Sequence, residues 1–245
     1  MKQYGLIGFP LSHSFSKKYF DNKFEKEQIK NASFSLYEME DISNLPKLLE
    51  SNKGIKGICI TIPHKKNVIS FLHWQDNAVQ QIGACNCIRV EDGKLYGYNT
   101  DILGFKLSFE KHLLPHHTKA LILGTGGASA GIEYVLKKLN ITYLIVSRTN
   151  TIDAKSITYD QLTPTLLAEY KIVINCTPLG TFPNIDSCPT LQYQSVTSKH
   201  YFYDLVYNPA ETKFLTLAKE RGAIIQNGYE MLILQAEENW KIWNK

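Results

Sequence analysis

The sequence predicts an α/β protein of two domains: first a mostly parallel sheet with an antiparallel edge, then a doubly wound sheet. Three observations lead there. Strand-like and helix-like segments alternate along nearly the whole chain, as βαβ units do. Asp92-Gly93 lies between two short alternating runs and predicts a hairpin. A short apolar run, "ALILG" (120–124), passes directly into a glycine-rich loop and a helical pattern.

In order, "QYGLIG" (3–8) reads as a strand, residues 16–28 as a polar-faced helix, "SFSLYEM" (33–39) as a strand and 43–52 as a helix. In "GICITIPHKK" (57–66), Ile58, Ile60 and Ile62 alternate with Cys59 and Thr61, the period of extended chain. Pro63 ends that ladder because it has no N–H to donate. The strand therefore delivers Lys65 and Lys66 at its carboxyl end, either as solvated surface or as chemistry. "ACNCIRVEDGKLYGYN" (84–99) reads as the hairpin.

A second unit begins near residue 102 with a helix through Phe109 and a polar loop, "PHHTK". It continues as "ALILG", a helix to Lys138, "TYLIV", a long variable stretch, "IVINC", "YFYDLVY", a helix "KFLTLAKERG" and "AII". The final helix, 229–243, carries apolar residues at helical spacing and must pack somewhere. Placing it on the first domain gives boundaries of 1–101 with 227–245 for one domain and 102–226 for the other.

The 245 residues are 44% apolar and 20% charged, ordinary for a globular protein. The net charge of +4 comes without a dense Lys/Arg block, which speaks for a small anionic ligand rather than nucleic acid. No apolar run approaches the ~18 residues of a membrane span. The first fifteen residues hold no sustained apolar segment, so no secretory signal is expected. Five cysteines without a small-scaffold spacing suggest reduced thiols and a cytoplasmic setting. Cys85 and Cys87 lie inside an apolar strand and read as core, so no metal is expected.

"LILGTGGASAG" (121–131) follows a strand and opens a helix, the context a dinucleotide site requires. Gly124 allows the tight turn and Gly126 lets the backbone approach a pyrophosphate. The helix N-terminus adds N–H groups and a positive dipole end. After the next strand come Ser147, Arg148 and Thr149 in place of an acid. A guanidinium with two hydroxyls suits a 2′-phosphate and favours NADP over NAD.

Four further stretches concentrate polar chemistry beside turns: "GFPLSHSFS" (8–16), "GYNTDILG" (97–104), "INCTPLG" (174–180) and "GYEMLILQA" (228–236). With "TIPHK" and the glycine loop, they resemble the shikimate dehydrogenase family in order and over nearly the whole chain. The resemblance implies a substrate-binding and catalytic domain followed by a Rossmann-like NADP(H) domain. It also implies reversible, NADPH-dependent reduction of 3-dehydroshikimate to shikimate in aromatic amino acid biosynthesis, by a monomer or homodimer.

Residue by residue, Gly8, Pro10, His13, Ser14 and Ser16 meet G-x-P-x-x-H-S-x-S. The resemblance assigns Ser14 and Ser16 to the substrate carboxylate, although Ser14 also suits a helix cap. Thr61 and Lys65 meet T-x-P-x-K, with Lys65 the catalytic lysine. Asn99, Thr100, Asp101 and Gly104 meet N-T-D-x-x-G, with Asp101 its carboxylate partner. Asn86, Tyr207 and Gln235 fall on substrate-contacting positions. Gly127 and Ala128 join Gly124 and Gly126 at the cofactor. The resemblance also assigns Ser147, Arg148, Thr149, Thr177 and Gly228 to cofactor binding, with Asn175, Thr177 and Gly180 in a loop beside the cofactor.

The chain departs from the family pattern at three places. Cys59 stands where asparagine is usual, Lys17 where proline is common, and Ser147 where the cofactor motif has asparagine. A paralogue acting on quinate or another hydroxylated ring acid, with NAD, stays open. A nucleotide-sensing module is disfavoured because it needs neither Lys65 nor Asp101. A tetrahydrofolate-type dehydrogenase leaves the two-serine motif unexplained.

Overall fold

A computed structural model describes residues 1–11, 14–149 and 155–245 and divides them into two compact units. Unit 1 comprises Met1–Asp101 with Gln235–Lys245, and unit 2 comprises Ile102–Leu234.

Unit 1 contains β1 (Lys2–Gly8), α1 (Phe15–Lys26), β2 (Ala32–Glu38), α2 (Leu45–Ser51) and β3 (Ile55–Ile60). These are followed by β4 (Trp74–Gln75), α3 (Asn77–Ile82), β5 (Cys87–Glu91) and β6 (Lys94–Tyr98). The sheet order is β2-β1-β3-β5-β6-β4. The first three strands are parallel, β5 pairs antiparallel with β3 and β6, and β4 runs parallel to β6. The two-residue β4, too short to register in the sequence, displaces the hairpin from the expected edge. Asp92 and Gly93 adopt positive φ of 49° and 74°, the left-handed pair a tight hairpin demands. The expected helix at 43–52 divides into a 3-10 turn, Ile42–Asn44, and α2, because Pro46 can start a helix but cannot continue one.

Alternation along β3 separates two cores. Ile58 and Ile60 join Ile7, Leu45, Val68 and Val79 on one face of the sheet. Cys59 joins Tyr4, Leu6, Phe20, Phe34 and Trp243 on the other.

Unit 2 begins with α4 (Asp101–Glu110), whose first residue closes unit 1. Next come β7 (Lys119–Leu123), α5 (Gly127–Lys138), β8 (Thr142–Ser147), β9 (Ser156–Thr158), α6 (Pro164–Glu169) and β10 (Ile172–Asn175). β11 (Tyr201–Asp204), α7 (Lys213–Lys219), β12 (Ile224–Gln226) and α8 (Tyr229–Trp243) complete the chain. The six strands are parallel in the order β12-β11-β10-β7-β8-β9. The stretch expected to be variable thus holds β9 and α6, each too short to give a readable period.

The strand order reverses between β7 and β10, which makes the crevice at their carboxyl ends the natural ligand position. Ile122 and Ile174 face the core beneath α4 and α5, while Leu121, Leu123 and Val173 face the core beneath α6 and α7. The last helix is divided between the units: Tyr229–Leu234 belong to unit 2 and Gln235 onward to unit 1. Met231, in its first turn, packs in the core of unit 2, whereas Ala236, Ile242 and Trp243 are core residues of unit 1.

Candidate functional site

In unit 1, β3 ends at Ile60 and the chain turns, with the His64 N–H donating to the Thr61 carbonyl. His64 is buried, its Nε2 at 2.5 Å from the Met39 carbonyl, and it anchors the turn. The next residue, Lys65, carries its ammonium to 2.6 Å from Asp101 Oδ2. Both side chains are partly open to solvent, 33% for the lysine and 27% for the aspartate. Asp101 lies in the first turn of α4, where the dipole favours a carboxylate. The geometry is a cation held by a carboxylate, and the ammonium has further N–H groups to donate to a ligand.

A buried polar network underlies this pair. The Asn86 amide clasps Thr100, its Oδ1 accepting from the Thr100 N–H at 2.7 Å and its Nδ2 donating to the Thr100 hydroxyl at 3.0 Å. The Thr100 hydroxyl donates to Asn239 Oδ1 at 2.6 Å. Asn239 Nδ2 lies 3.2 Å from Gln235 Oε1 and 3.3 Å from Cys59 Sγ. Asn99 donates to the Ala84 carbonyl at 2.8 Å. Burial pushes the Cys59 thiol up to about 12, with the Asn239 contact opposing that rise. Cys59 is 4% exposed, so its sulfur is a neutral part of this network.

Thr61 is half-buried, and its methyl closes over Gly8, where a Cβ would come within 2.3 Å. Ser14 is the N-cap of α1, accepting from the Lys17 N–H at 3.3 Å. A hydroxyl that accepts there still has its proton to donate. Ser16 lies in the first turn of α1, half-buried. His13 lies outside the described residues. Unit 1 also has a cavity of about 390 Å³ bounded by Leu11, Ser14, Lys17, Lys18 and Leu36. Another, of about 460 Å³, is bounded by Leu45, Leu49, Phe71, His73 and Leu95 and includes none of the expected site residues.

In unit 2, the loop after β7 has the form a nucleotide pyrophosphate needs. Gly124 has φ 103°, and a Cβ there would meet Thr177 Cγ2 at 2.9 Å. Gly126 is the N-cap of α5 without a side-chain cap, and a Cβ on Gly126 or Gly127 would meet no atom within 4 Å. These two glycines therefore keep open a space the protein itself does not fill. Ser129, at the third position of the fingerprint, turns its hydroxyl back onto the Gly126 carbonyl at 2.6 Å. Ala128 continues α5 beside it.

Thr177 is placed by a relay from the neighbouring strands. Thr212 donates to Asp204 Oδ2 at 2.6 Å, and Asn175 Nδ2 donates to Asp204 Oδ1 at 2.9 Å. Asn175 Oδ1 in turn accepts from the Thr177 hydroxyl at 2.6 Å and its N–H at 3.0 Å. Burial pushes the Asp204 carboxyl up to about 6, against the pull of donors from Thr212, Val206 and Asn175. Asp204 and Asn239 are the residues the sequence reading passed over.

At the end of β8, Ser147 is buried and donates to the Thr149 carbonyl, while Arg148 and Thr149 are exposed. Tyr207 is half-buried, and burial raises its phenol. Gly228 is buried where a Cβ would come within 2.2 Å of the Leu205 carbonyl oxygen, so it serves close backbone packing. Among the described residues, no group of three or more His, Cys, Asp or Glu is arranged to hold a metal, and no helix is long and apolar enough to cross a membrane.

Known proteins resemble this chain in sequence and in fold. A family model for the shikimate dehydrogenase substrate binding domain matches residues 6–88. A shikimate dehydrogenase (NADP(+)) of Clostridium beijerinckii is 38% identical over 254 residues, spanning 100% of this chain and 93% of that protein. A crystal structure of shikimate dehydrogenase in complex with NADP+ matches with a TM-score of 0.86 at 32% identity, over 99% of this chain and 90% of that one. Shikimate 5-dehydrogenase of Thermus thermophilus, in complex with NADP(H) and shikimate, matches with a TM-score of 0.86 at 26% identity, over 99% and 93% of the two chains. Similarity of this extent, over nearly the full length of both chains, makes the chain a member of the shikimate dehydrogenase family.

Proposed function

We propose that this chain is an oxidoreductase acting on a CH–OH group, which reversibly reduces 3-dehydroshikimate to shikimate with NADP(H) in aromatic amino acid biosynthesis. The observation that carries this reading is the Lys65–Asp101 pair, 2.6 Å apart and partly open to solvent. Bound NADPH supplies a hydride to the ketone carbon. As the carbonyl oxygen takes up the electron pair, Lys65 gives it a proton, and Asp101 keeps the ammonium oriented. In the reverse direction Lys65 accepts the hydroxyl proton.

Unit 1 binds the ring acid in this reading, with Ser14 and Ser16 at its carboxylate and Thr61, Asn86 and Gln235 at its oxygens. Tyr207, a residue of unit 2, is assigned to the substrate by the family resemblance. Unit 2 holds the nucleotide, with the phosphates over Gly124, Gly126, Gly127 and Ala128 and the 2′-phosphate at Arg148 and Thr149. Ser147, Thr177 and Gly228 shape the surrounding loops. The enzyme works in the cytoplasm, as a monomer or homodimer. Free thiols at all five cysteines suit a reducing compartment.

Absorbance at 340 nm tests the reading, with shikimate or quinate each paired with NADP+ or NAD+. Turnover fastest with shikimate and NADP+ is expected. Turnover only with quinate moves the chain to a paralogous activity, and silence with all four pairs removes the enzymatic assignment. Arg148→Ala is expected to weaken NADP+ much more than NAD+, because only the former offers a 2′-phosphate to a guanidinium. Equal losses would detach Arg148 from cofactor choice.

A further inference from the structure

Asn239 is fully buried on α8, one turn beyond Gln235, and no motif of the sequence drew attention to it. Its Oδ1 accepts from the Thr100 hydroxyl at 2.6 Å, and its Nδ2 reaches Gln235 Oε1 and Cys59 Sγ. A hydroxyl has one proton. The Thr100 proton goes to Asn239, since Asn86 Oδ1 is farther away, at 3.2 Å. The direction of each bond follows: Asn86 donates to Thr100, Thr100 to Asn239, and Asn239 to Gln235 and Cys59.

We infer that Asn239 is a positioning residue for the reduction, supplying from the last helix the carboxamide that the family pattern places on the strand at residue 59. The inference rests on the functional reading above. The terminal amide of glutamine is nearly symmetric in shape, so a hydrogen bond must choose which end faces which way. Asn239 chooses: Gln235 turns its oxygen toward Asn239 and therefore its NH₂ to the opposite side. Thr100 directly precedes Asp101 and is clasped by Asn86, so the same amide steadies the start of α4. Cys59 cannot do this work, because a buried thiol is a weak donor with little reach. It does leave the volume that an amide on the helix needs.

The test moves the amide back. Asn239→Ala is expected to raise the KM for shikimate roughly three- to tenfold, the loss of one oriented hydrogen bond. Its kcat should fall, though less than in Asp101→Asn, and its KM for NADP+ should stay within about twofold. Cys59→Asn combined with Asn239→Ala carries the amide across the 3.3 Å gap and is expected to restore the shikimate KM to within about twofold of wild type. Asn239→Asp keeps the shape but turns a second oxygen toward Gln235, so its shikimate KM should rise and then improve as pH falls. An unchanged KM in Asn239→Ala, equal losses toward shikimate and NADP+, or a double variant worse than the single each overturn the inference. So does failure of both to fold, read by thermal melting. A wild type inactive on shikimate overturns the functional reading itself and takes this inference with it. An active wild type with unresponsive variants overturns the inference alone.

Discussion

Lys65 and Lys66 are adjacent at the end of one strand, yet among the described residues only the first meets a carboxylate. Strand period alone does not separate them, since both suit a solvated turn; the T-x-P-x-K resemblance picks out Lys65. Lys65→Ala is expected to lower kcat at least ~100-fold while shikimate affinity changes far less, the usual scale of general acid–base catalysis. Asp101→Asn should also lower kcat. The double variant should lose less than the sum, because an aspartate that acts by orienting Lys65 has nothing left to orient. Near-normal kcat in folded Lys65→Ala would end the assignment. At this scale the sequence was most legible where a motif is local. It flagged Cys59 as a departure but not its partner, because Asn239 lies 180 residues away on a helix. Flanked by Glu238 and Trp240, that asparagine reads as part of a solvated face.

Among elements, the loop between β7 and α5 was legible because glycines announce their backbone demands. The two kinds of glycine there behave differently. Gly124 has a left-handed φ and would press on Thr177, so any side chain strains the fold. Gly126 has φ −72° and open space beyond it, so the absence of a side chain there matters only to a ligand. Gly126→Ala is expected to change stability by less than about 0.5 kcal/mol. It should raise the KM for NADP+ at least ~10-fold, since in the proposed function the pyrophosphate approaches the backbone at that residue. Unaltered NADP+ kinetics would show that the nucleotide passes elsewhere.

The neighbouring loop was not legible, because its organiser, Asp204, ends an aromatic strand and looks like any strand terminus. Its folded pKa of about 6 lies above the ordinary 3.8, so the folded state holds the proton more tightly than the unfolded one. Asp204 therefore favours folding most at low pH and loses that contribution as pH rises through the window from about 4 to about 6. The wild type should lose stability relative to Asp204→Asn across that window, on the order of 3 kcal/mol in all. Chemical denaturation of both proteins at pH 4 and pH 7 measures it, and a pH-independent difference would mean the buried carboxyl does not titrate there.

For the molecule as a whole, the alternation of strands and helices made the α/β class plain, and the comparisons with known structures agree. What the pattern missed were the pieces too short to have a period: β4 with two residues and β9 with three. The last helix was recognised from its apolar spacing, but spacing cannot tell which core a turn enters. Trp243 closes the α1 face of unit 1, stacked on Tyr4 with ring centroids 5.1 Å apart. Its indole fills the place that a Cβ on Gly57 would invade at 2.2 Å. Trp243→Ala is expected to destabilise the protein by about 3–5 kcal/mol, the scale of a large aromatic lost from a core. The affinity for NADP+ should barely move, because the cavity opens in the other unit. Urea titration and cofactor binding read the two effects separately, and a loss in both would place the indole in a shared cooperative core.

That closing helix sets an order of events at the ribosome. Unit 2 is one continuous segment, complete once Leu234 has been made. Unit 1, although its segment Met1–Asp101 is synthesised first, lacks Trp243 until that residue emerges. At about 5–20 residues per second, the wait from Asp101 to Trp243 is on the order of ten seconds. Throughout that interval Tyr4, Phe20 and Phe34 have no indole to cover them. The nascent chain thus finishes its second unit before its first, and the exposed aromatic face is the part of it a chaperone would hold.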